Sequence, residues 1–320
     1  MIHEMKDTYQ AVSLVRLCRL LGVTRQAYYQ HLWGREERSI EEHLILQQVQ
    51  QIRKIHRRMG GRKLYELLEP FMLEHQIKMG RDALFELLGR NYLLVKKRRS
   101  RVYTTQSSHW LRKYPNLIKN QCIDRKNQVW VSDITYWKSK GKNYYISFIT
   151  DAYSKKIVGY RMAETLEAVE SVRALKMAVS GLKKEPDSLL SLTHHSDRGI
   201  QYCSKEYVKL LQDNQINISM TENGDPLENA IAERINGIIK NEYLNDYEVD
   251  NLTQASALLK EIVNLYNEER PHLSLGMLTP ERVHMQKLNP KGLWKNYYKK
   301  KTDIVNPDQD NQSTVNLLQY

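Results

Sequence analysis

The apolar positions of this 320-residue chain change their period once, near residue 128. Before that point they recur every three to four residues; after it they first alternate and then mix the two spacings. In SLVRLCRLLGVTRQAYYQHL (13–32), Leu14, Leu17, Cys18 and Leu21 share a helical face. Gly22 ends that run, and Thr24 is placed to cap a second short helix carrying Ala27, Tyr28 and Leu32. Helix, glycine-containing turn and helix predict a helix-turn-helix over 1–35. Its second helix can enter a major groove, with Arg25, Gln26 and Tyr29 exposed near it. Any small helical hairpin fits the same spacing, so this pattern alone does not establish DNA binding.

A second helical unit is expected over 40–103. Residues 41–56 read as a continuous amphipathic helix, Gly60-Gly61 break it, and RKLYELLEPFML and GRDALFELLGRNYL predict two more helices. The unit closes on KKRRSR (96–101), in which Lys96, Lys97, Arg98, Arg99 and Arg101 are candidates to follow a phosphate backbone; a solvated linker has the same composition. No strong period survives over 104–126, which reads as a linker.

From Gln128 the pattern is that of strands. QVWVSDITYW, KNYYISFITDAY and KKIVGYRMAE are separated by SKGK and YSKK, short enough for hairpins, and predict a three-stranded antiparallel meander. A helix (165–182), a strand (189–195), a helix (204–214), a strand (216–221) and a long helix (226–244) come next. Three antiparallel strands and then alternating helix and strand predict a mixed α/β domain over 127–286. The tail 287–320 begins basic and aromatic and turns polar, a composition that gains order only on a partner.

Charge changes the picture where it is located. Residues 1–119 hold 23 Lys+Arg against 11 Asp+Glu, whereas the rest hold 26 of each, so the formal charge of +12 lies wholly within the first 119 residues. That asymmetry suits a polyanion-binding module joined to a domain with another task. A hydrophobic content of 41% with 27% charged residues, no run of eighteen apolar residues and no secretory signal at MIHEMKDTYQ lead us to expect a soluble cytoplasmic protein with no membrane partner. Cys18, Cys122 and Cys203 lie too far apart for a zinc ribbon or a disulfide framework.

Three acidic residues stand out. Asp133 interrupts an apolar strand, where a carboxylate is costly unless it meets a cation or hydrogen-bond donors. Asp197, in HHSDRGIQY, falls just past the fourth expected strand, where open α/β sheets place ligands. In ENAIAERINGIIKNEYL, Ile231, Ile235, Ile238 and Ile239 make a buried stripe, and Glu233 lies about 200° from Ile231 with Lys240 returning to its face seven residues on. Each residue alone also fits a structural role. The pair His194 and His195 raises the question of zinc, but no spaced cysteine or carboxylate set completes such a site nearby.

With 35 residues between Asp197 and Glu233, this order of carboxylates resembles the DDE core of retroviral integrases and many transposases, an RNase H-like fold. WVSDITYW, DAYSKKIVGY, HSDRGIQY, SMTENGDPLENAIAE and YNEERPHLSLGMLTP are similar to successive signatures of the second-frame transposase of insertion-sequence family three, over about residues 52–285. The resemblance implies that Asp133, Asp197 and Glu233 are catalytic and hold two Mg²⁺ ions, or Mn²⁺ in their place, with Asp133 bridging both. Hard oxygen ligands suit these ions.

It further implies cleavage at the ends of the element and strand transfer of the freed 3′-hydroxyl into target DNA. Lys240 would contact terminal phosphates or bases. The expected partners are double-stranded DNA, further copies of this chain in a homo-oligomer on the nucleoid, and an upstream-frame product or a fusion with it. Two rival functions are a DNA-binding regulator with an inactive RNase H-like domain and a nuclease that cuts without joining. The zinc-binding domain that precedes retroviral integrase cores has no counterpart here. The closing motif around Tyr266, Asn267, Arg270, Pro271 and His272 fits either DNA contact or a structural lock.

Overall fold

A computed structural model describes residues 2–9, 11–96, 109–119, 121–183, 191–222, 229–286, 288 and 290. Its first part is helical: α1 (Ile2–Thr8), α2 (Leu14–Leu20), α3 (Arg25–Ile55), α4 (Gly61–Glu74) and α5 (Arg81–Arg90). Ser13 and Thr24 cap α2 and α3 by accepting from the backbone N–H groups of Arg16 and Ala27. Gly22 sits at φ 68° between them, in the left-handed region where glycine carries no Cβ penalty. Helix, glycine turn and helix thus follow one another over 14–32.

Beyond the turn the chain departs from expectation, because the helices predicted at 24–32 and 41–56 are one helix, α3. Gly34 costs a helix only about 1 kcal/mol relative to alanine, too little to break a run without proline. Ile45 and Val49 of α3 pack with Leu64 and Leu68 of α4 and with Leu84, Leu87 and Leu88 of α5, giving the second helical unit its own core. Gly61 lets α4 approach α5, since a Cβ there would fall 2.8 Å from the ring of Phe85.

The second part is built on a five-stranded sheet in the order β3-β2-β1-β4-β5, from β1 (Val129–Ser139), β2 (Lys142–Asp151), β3 (Ile157–Ala163), β4 (Thr193–Ser196) and β5 (Asn217–Met220). β1, β2 and β3 pair antiparallel, whereas β4 and β5 add in parallel beyond β1. Parallel pairing requires crossovers, which α6 (Ala168–Leu182) and α7 (Lys205–Asp213) supply. This is the RNase H-like arrangement.

Alternation along β1 divides the core between two helical layers. Trp130 faces α6 and α7 with Val172, Leu175, Tyr207 and Leu211. Trp137 lies on the other side with Ile235 and Ile238 of α8 (Ala230–Ile238) and Leu259 and Ile262 of α9 (Leu252–Glu268). Gly159 of β3 lets α6 press onto the sheet, because a Cβ there would strike the backbone of Ala174 and lie 2.9 Å from the Cβ of Ala178.

The long helix expected at 226–244 is α-helical only over Ala230–Ile238. It then widens into a π-type turn, Ile239–Tyr243, and tightens into a 3-10 turn, Leu244–Asp246. α10 (Pro280–Gln286) closes the described fold. Among the described residues no helix is long and apolar enough to cross a membrane.

Candidate active site

The register of the central strands brings two carboxylates to the same place. Val131 pairs with His195 and Ser132 with Ser196, the last rung between the parallel strands β1 and β4. Asp133 and Asp197 are the next residues on their respective chains, and period-two alternation gives them the same face. It is the face of Val131, which packs on Ala232 of α8. Glu233 comes after Ala232 in the first turn of α8, exposed, a few residues past 223–228, which lie outside the described residues.

Each aspartate is held by short local bonds. Asp133 Oδ1 accepts from the Ile134 N–H at 2.8 Å, and its Oδ2 accepts from Asn236 Nδ2 at 2.8 Å. Asp197 Oδ1 accepts from the Gly199 N–H at 2.9 Å. A Cβ on residue 199 would also lie 2.9 Å from that oxygen, so the close turn needs glycine.

Behind the aspartates the polar groups are tied to one another. His194 Nε2 lies 2.8 Å from Ser132 Oγ and 2.9 Å from Tyr207 Oη, and His195 Nδ1 lies 2.8 Å from Ser219 Oγ. Burial, with the neighbouring His195, pushes the His194 imidazole down to about 3, so it stays neutral at pH 7. Both histidines are thus engaged in hydrogen bonds with serine and tyrosine hydroxyls. Asn229 Nδ2 donates to the Ser132 carbonyl at 3.0 Å and pins the start of α8 to β1.

The electrostatics are those of crowded like charge. Burial raises the Asp133 carboxyl to about 7, and the carboxylates of Asp197 and then Glu233 push in the same direction, against the bonds from Ile134 and Asn236. Glu233 is raised by burial and by Asp197. The neighbouring cation is Lys240, whose Nζ is 3.4 Å from Thr135 Oγ1 and 4.7 Å from the centre of the Tyr136 ring. Burial lowers the Lys240 ammonium more than Asp133 supports it.

Hard oxygen donors, two of them with pKa values raised by burial and by neighbouring carboxylates, fit a divalent cation, which would remove the repulsion. As they stand, no group of three His, Cys, Asp or Glu side chains among the described residues is close enough to hold a metal ion. The fit therefore rests on the Asp133 and Asp197 pair and on the chemistry of the donors.

Residues 124–226 and 214–280 each match a family model described as an integrase core domain. The 31 kDa protein of insertion element IS600 of Shigella sonnei is 33% identical over 267 residues, covering 82% of this chain and 96% of the relative. The chain belongs to the insertion-element transposases. The transposase of insertion sequence IS629 of Shigella sonnei is 27% identical over 271 residues, covering 82% of this chain and 88% of that one. A solved human T-cell lymphotropic virus type 2 integrase catalytic core in complex with magnesium is 24% identical with a TM-score of 0.40, covering 50% of this chain and 97% of that structure.

The other residues expected to act on DNA are distributed unevenly over this transposase. Arg25 and Gln26 are exposed in the first turn of α3. Tyr29, expected to be exposed, is half-buried: it stacks on Trp33 at 5.9 Å between centroids, with the Arg25 guanidinium 6.0 Å from its ring. Lys96 is exposed, and its carbonyl accepts from Arg58 Nη2 at 2.6 Å. Lys97, Arg98, Arg99 and Arg101 lie outside the described residues, as does almost all of the tail.

The closing motif is a lock. Asn267 donates to the Ile157 carbonyl and accepts from its N–H, Tyr266 Oη donates to the Lys155 carbonyl, and Arg270 is buried against Glu242. Asp151, at the turn into β3, is likewise structural: it accepts from Ser154 N–H and Oγ and from Asn127 N–H and faces His284. Sequence reasoning passed over Asn236, the donor to Asp133, although it stands one helical turn beyond Glu233.

Proposed function

We propose that Asp133, Asp197 and Glu233 are the catalytic carboxylates of a DDE transposase that cuts DNA at the ends of its element and joins those ends to new DNA. The observation that supports this best is Asp133: a carboxyl on a central strand, raised to about 7 by burial and by two further carboxylates. A structural carboxylate in a core is ordinarily paired with cations, which pull its pKa down.

The three carboxylates would hold Mg²⁺ ions, or Mn²⁺ in their place, which supply Lewis-acid activation of the attacking oxygen and charge stabilisation of the leaving one at phosphorus. Asn236 and the Ile134 N–H keep the Asp133 carboxylate in one orientation, and Gly199 does the same for Asp197. Lys240 offers its ammonium to a phosphate of the element end beside Thr135. No side chain is needed as nucleophile. In the first reaction the water oxygen bonds to phosphorus and the 3′-oxygen leaves with a proton. In the second that 3′-hydroxyl attacks a target phosphodiester and expels the 3′-oxygen of the target strand. Arg25, Gln26 and Tyr29, at the start of α3, and the basic tract from Lys96 through Lys97, Arg98, Arg99 and Arg101 bind the element end.

The test is incubation of the purified protein with Mg²⁺ and a DNA fragment carrying the terminal repeat. Joined products are expected from the wild type, and Asp197→Asn is expected to bind the fragment without cutting it. Binding alone by the wild type would indicate a regulator, and cutting without joining a nuclease. Full activity of Asp197→Asn would remove that residue from the site.

A further inference from the structure

Beside the active site, the turn between α3 and α4 grips the segment that carries Lys240. Glu242 lies in the π-type turn and receives Arg270 in a fork: Nε donates to Oε2 and Nη2 to Oε1, each at 2.8 Å. Lys63 of α4 adds a third bond from Nζ to Oε1 at 3.3 Å. The Arg270 side chain is 1% exposed, that of Lys63 10% and that of Glu242 20%, so solvent screens these charges little.

Around this centre His56 Nδ1 lies 3.0 Å from Tyr243 Oη, and its Nε2 lies 3.4 Å from Glu269. Arg57 Nη1 donates to the Asp246 carbonyl at 3.0 Å, with its guanidinium 4.4 Å from the Tyr247 ring centre. These ties from the second helical unit converge on residues 242–247 and 269.

The segment they hold is unusual. A π-type turn has poorer packing than an α-turn and persists where side chains hold it, often at functional sites. Lys240 and Glu242 belong to the same turn but serve different neighbours: Glu242 meets the helical unit, whereas Lys240 meets Thr135 and Tyr136 on β1 beside Asp133. A change in how Lys63 holds Glu242 therefore reaches the cation at the active site through a single turn of backbone.

We infer that Lys63 and Glu242 are positioning residues: the docking of the second helical unit onto Glu242 sets the place of Lys240 against the Asp133 strand and so ties DNA capture to the competence of the active site. The inference rests on the assignment of the Asp133 site as catalytic. It goes beyond that assignment by giving two residues that pair with one another, away from the carboxylates, a part in the rate. Glu242 is not the residue to change first, because its loss leaves Arg270 buried without its partner. Lys63→Met leaves the Arg270 fork intact and is the informative variant.

The experiment measures DNA affinity and the cleavage rate of the fully bound complex separately, with Mg²⁺ and a terminal-repeat fragment. Lys63→Met is expected to bind within about twofold of wild type while cleaving about tenfold more slowly, the scale of a small misplacement. Lys63→Arg should recover most of the rate. Amide exchange over 239–243 should quicken in Lys63→Met while α9 is unchanged. In a double-mutant cycle, adding Lys63→Met to Lys240→Met should slow cleavage no further.

Cleavage of bound DNA at the wild-type rate by Lys63→Met would overturn the inference. So would a proportional loss of binding and cleavage with no change in exchange at 239–243. Asp197→Asn, run alongside, separates the two levels: an active Asp197→Asn sinks the site itself, whereas an inactive one beside a full-speed Lys63→Met sinks only the coupling.

Discussion

Asp133 and Glu242 are half-buried carboxylates, one on β1 and one on the segment after α8, and their surroundings are opposite in sign. Glu242 is met by Arg270 and Lys63, and these cations outweigh its burial and hold its carboxyl down at about 2. Asp133 is raised to about 7 by burial and two acidic neighbours, with Lys240 as the nearby cation. A core that paired Glu242 so thoroughly had the means to pair Asp133. The difference teaches that charge is balanced from within where it holds the fold and left unbalanced where a cation from outside is proposed to enter.

The largest expected effect is catalytic. Asp133→Asn should slow Mg²⁺-dependent cleavage of a terminal-repeat fragment on the order of 10³-fold or more at unchanged DNA affinity, read on a denaturing gel. A loss below tenfold would put Asp133 outside the chemistry. Next comes the paired carboxylate: Arg270→Met leaves Glu242 with Lys63 alone and should cost about 3–5 kcal/mol of stability in denaturant titrations at pH 7. Since the Glu242 pKa is lowered from 4.5 to about 2, its stabilisation is fully present above 4.5 and is lost as pH falls through 2. The Arg270→Met deficit should shrink accordingly in acid.

Asp133, crowded by like charge, predicts the reverse sign. The Asp133 pKa is raised from 3.8 to about 7, so its ionisation in the metal-free protein costs nothing below pH 4 and costs most above 7. Asp133→Asn should therefore stabilise the metal-free protein by about 1–4 kcal/mol at pH 8, and the gain should vanish at pH 4. A variant less stable than wild type at both pH values would break the comparison. The smallest effect is linkage: Mg²⁺ at ten times its Kd should stabilise the wild type by about 1.4 kcal/mol, a melting shift of a few degrees, and Asp133→Asn by less.

Much of this arrangement is legible in the residues alone. Period-two alternation exposes Asp133 as a carboxylate on an apolar strand, and hairpin-length separators give the meander. Helical phase places Glu233 away from the isoleucine stripe, and Ile235, Ile238 and Ile239 are buried as that phase requires, whereas Ile231, at the start of α8, is half-buried. Local period also has limits. Glu242 and Arg270 stand 28 residues apart, and nothing in either segment marks the other as its partner. The π-type turn at Ile239 departs from the 3.6-residue phase that aligns Lys240 with Glu233. Asn236 carries no charge, so its bond to Asp133 emerges only when α8 is seen against β1. The joining of two expected helices into α3 is a further case, in which one glycine does not outweigh the surrounding helix formers.

The most direct measurement is anomalous diffraction from crystals of the DNA-bound transposase grown in Mn²⁺, with Asp197→Asn as the comparison. The account predicts manganese peaks within coordinating distance of Asp133, Asp197 and Glu233 in the wild type, and their loss or weakening in the variant. Manganese seated elsewhere in the wild type, or the same peaks undiminished in Asp197→Asn, would contradict it.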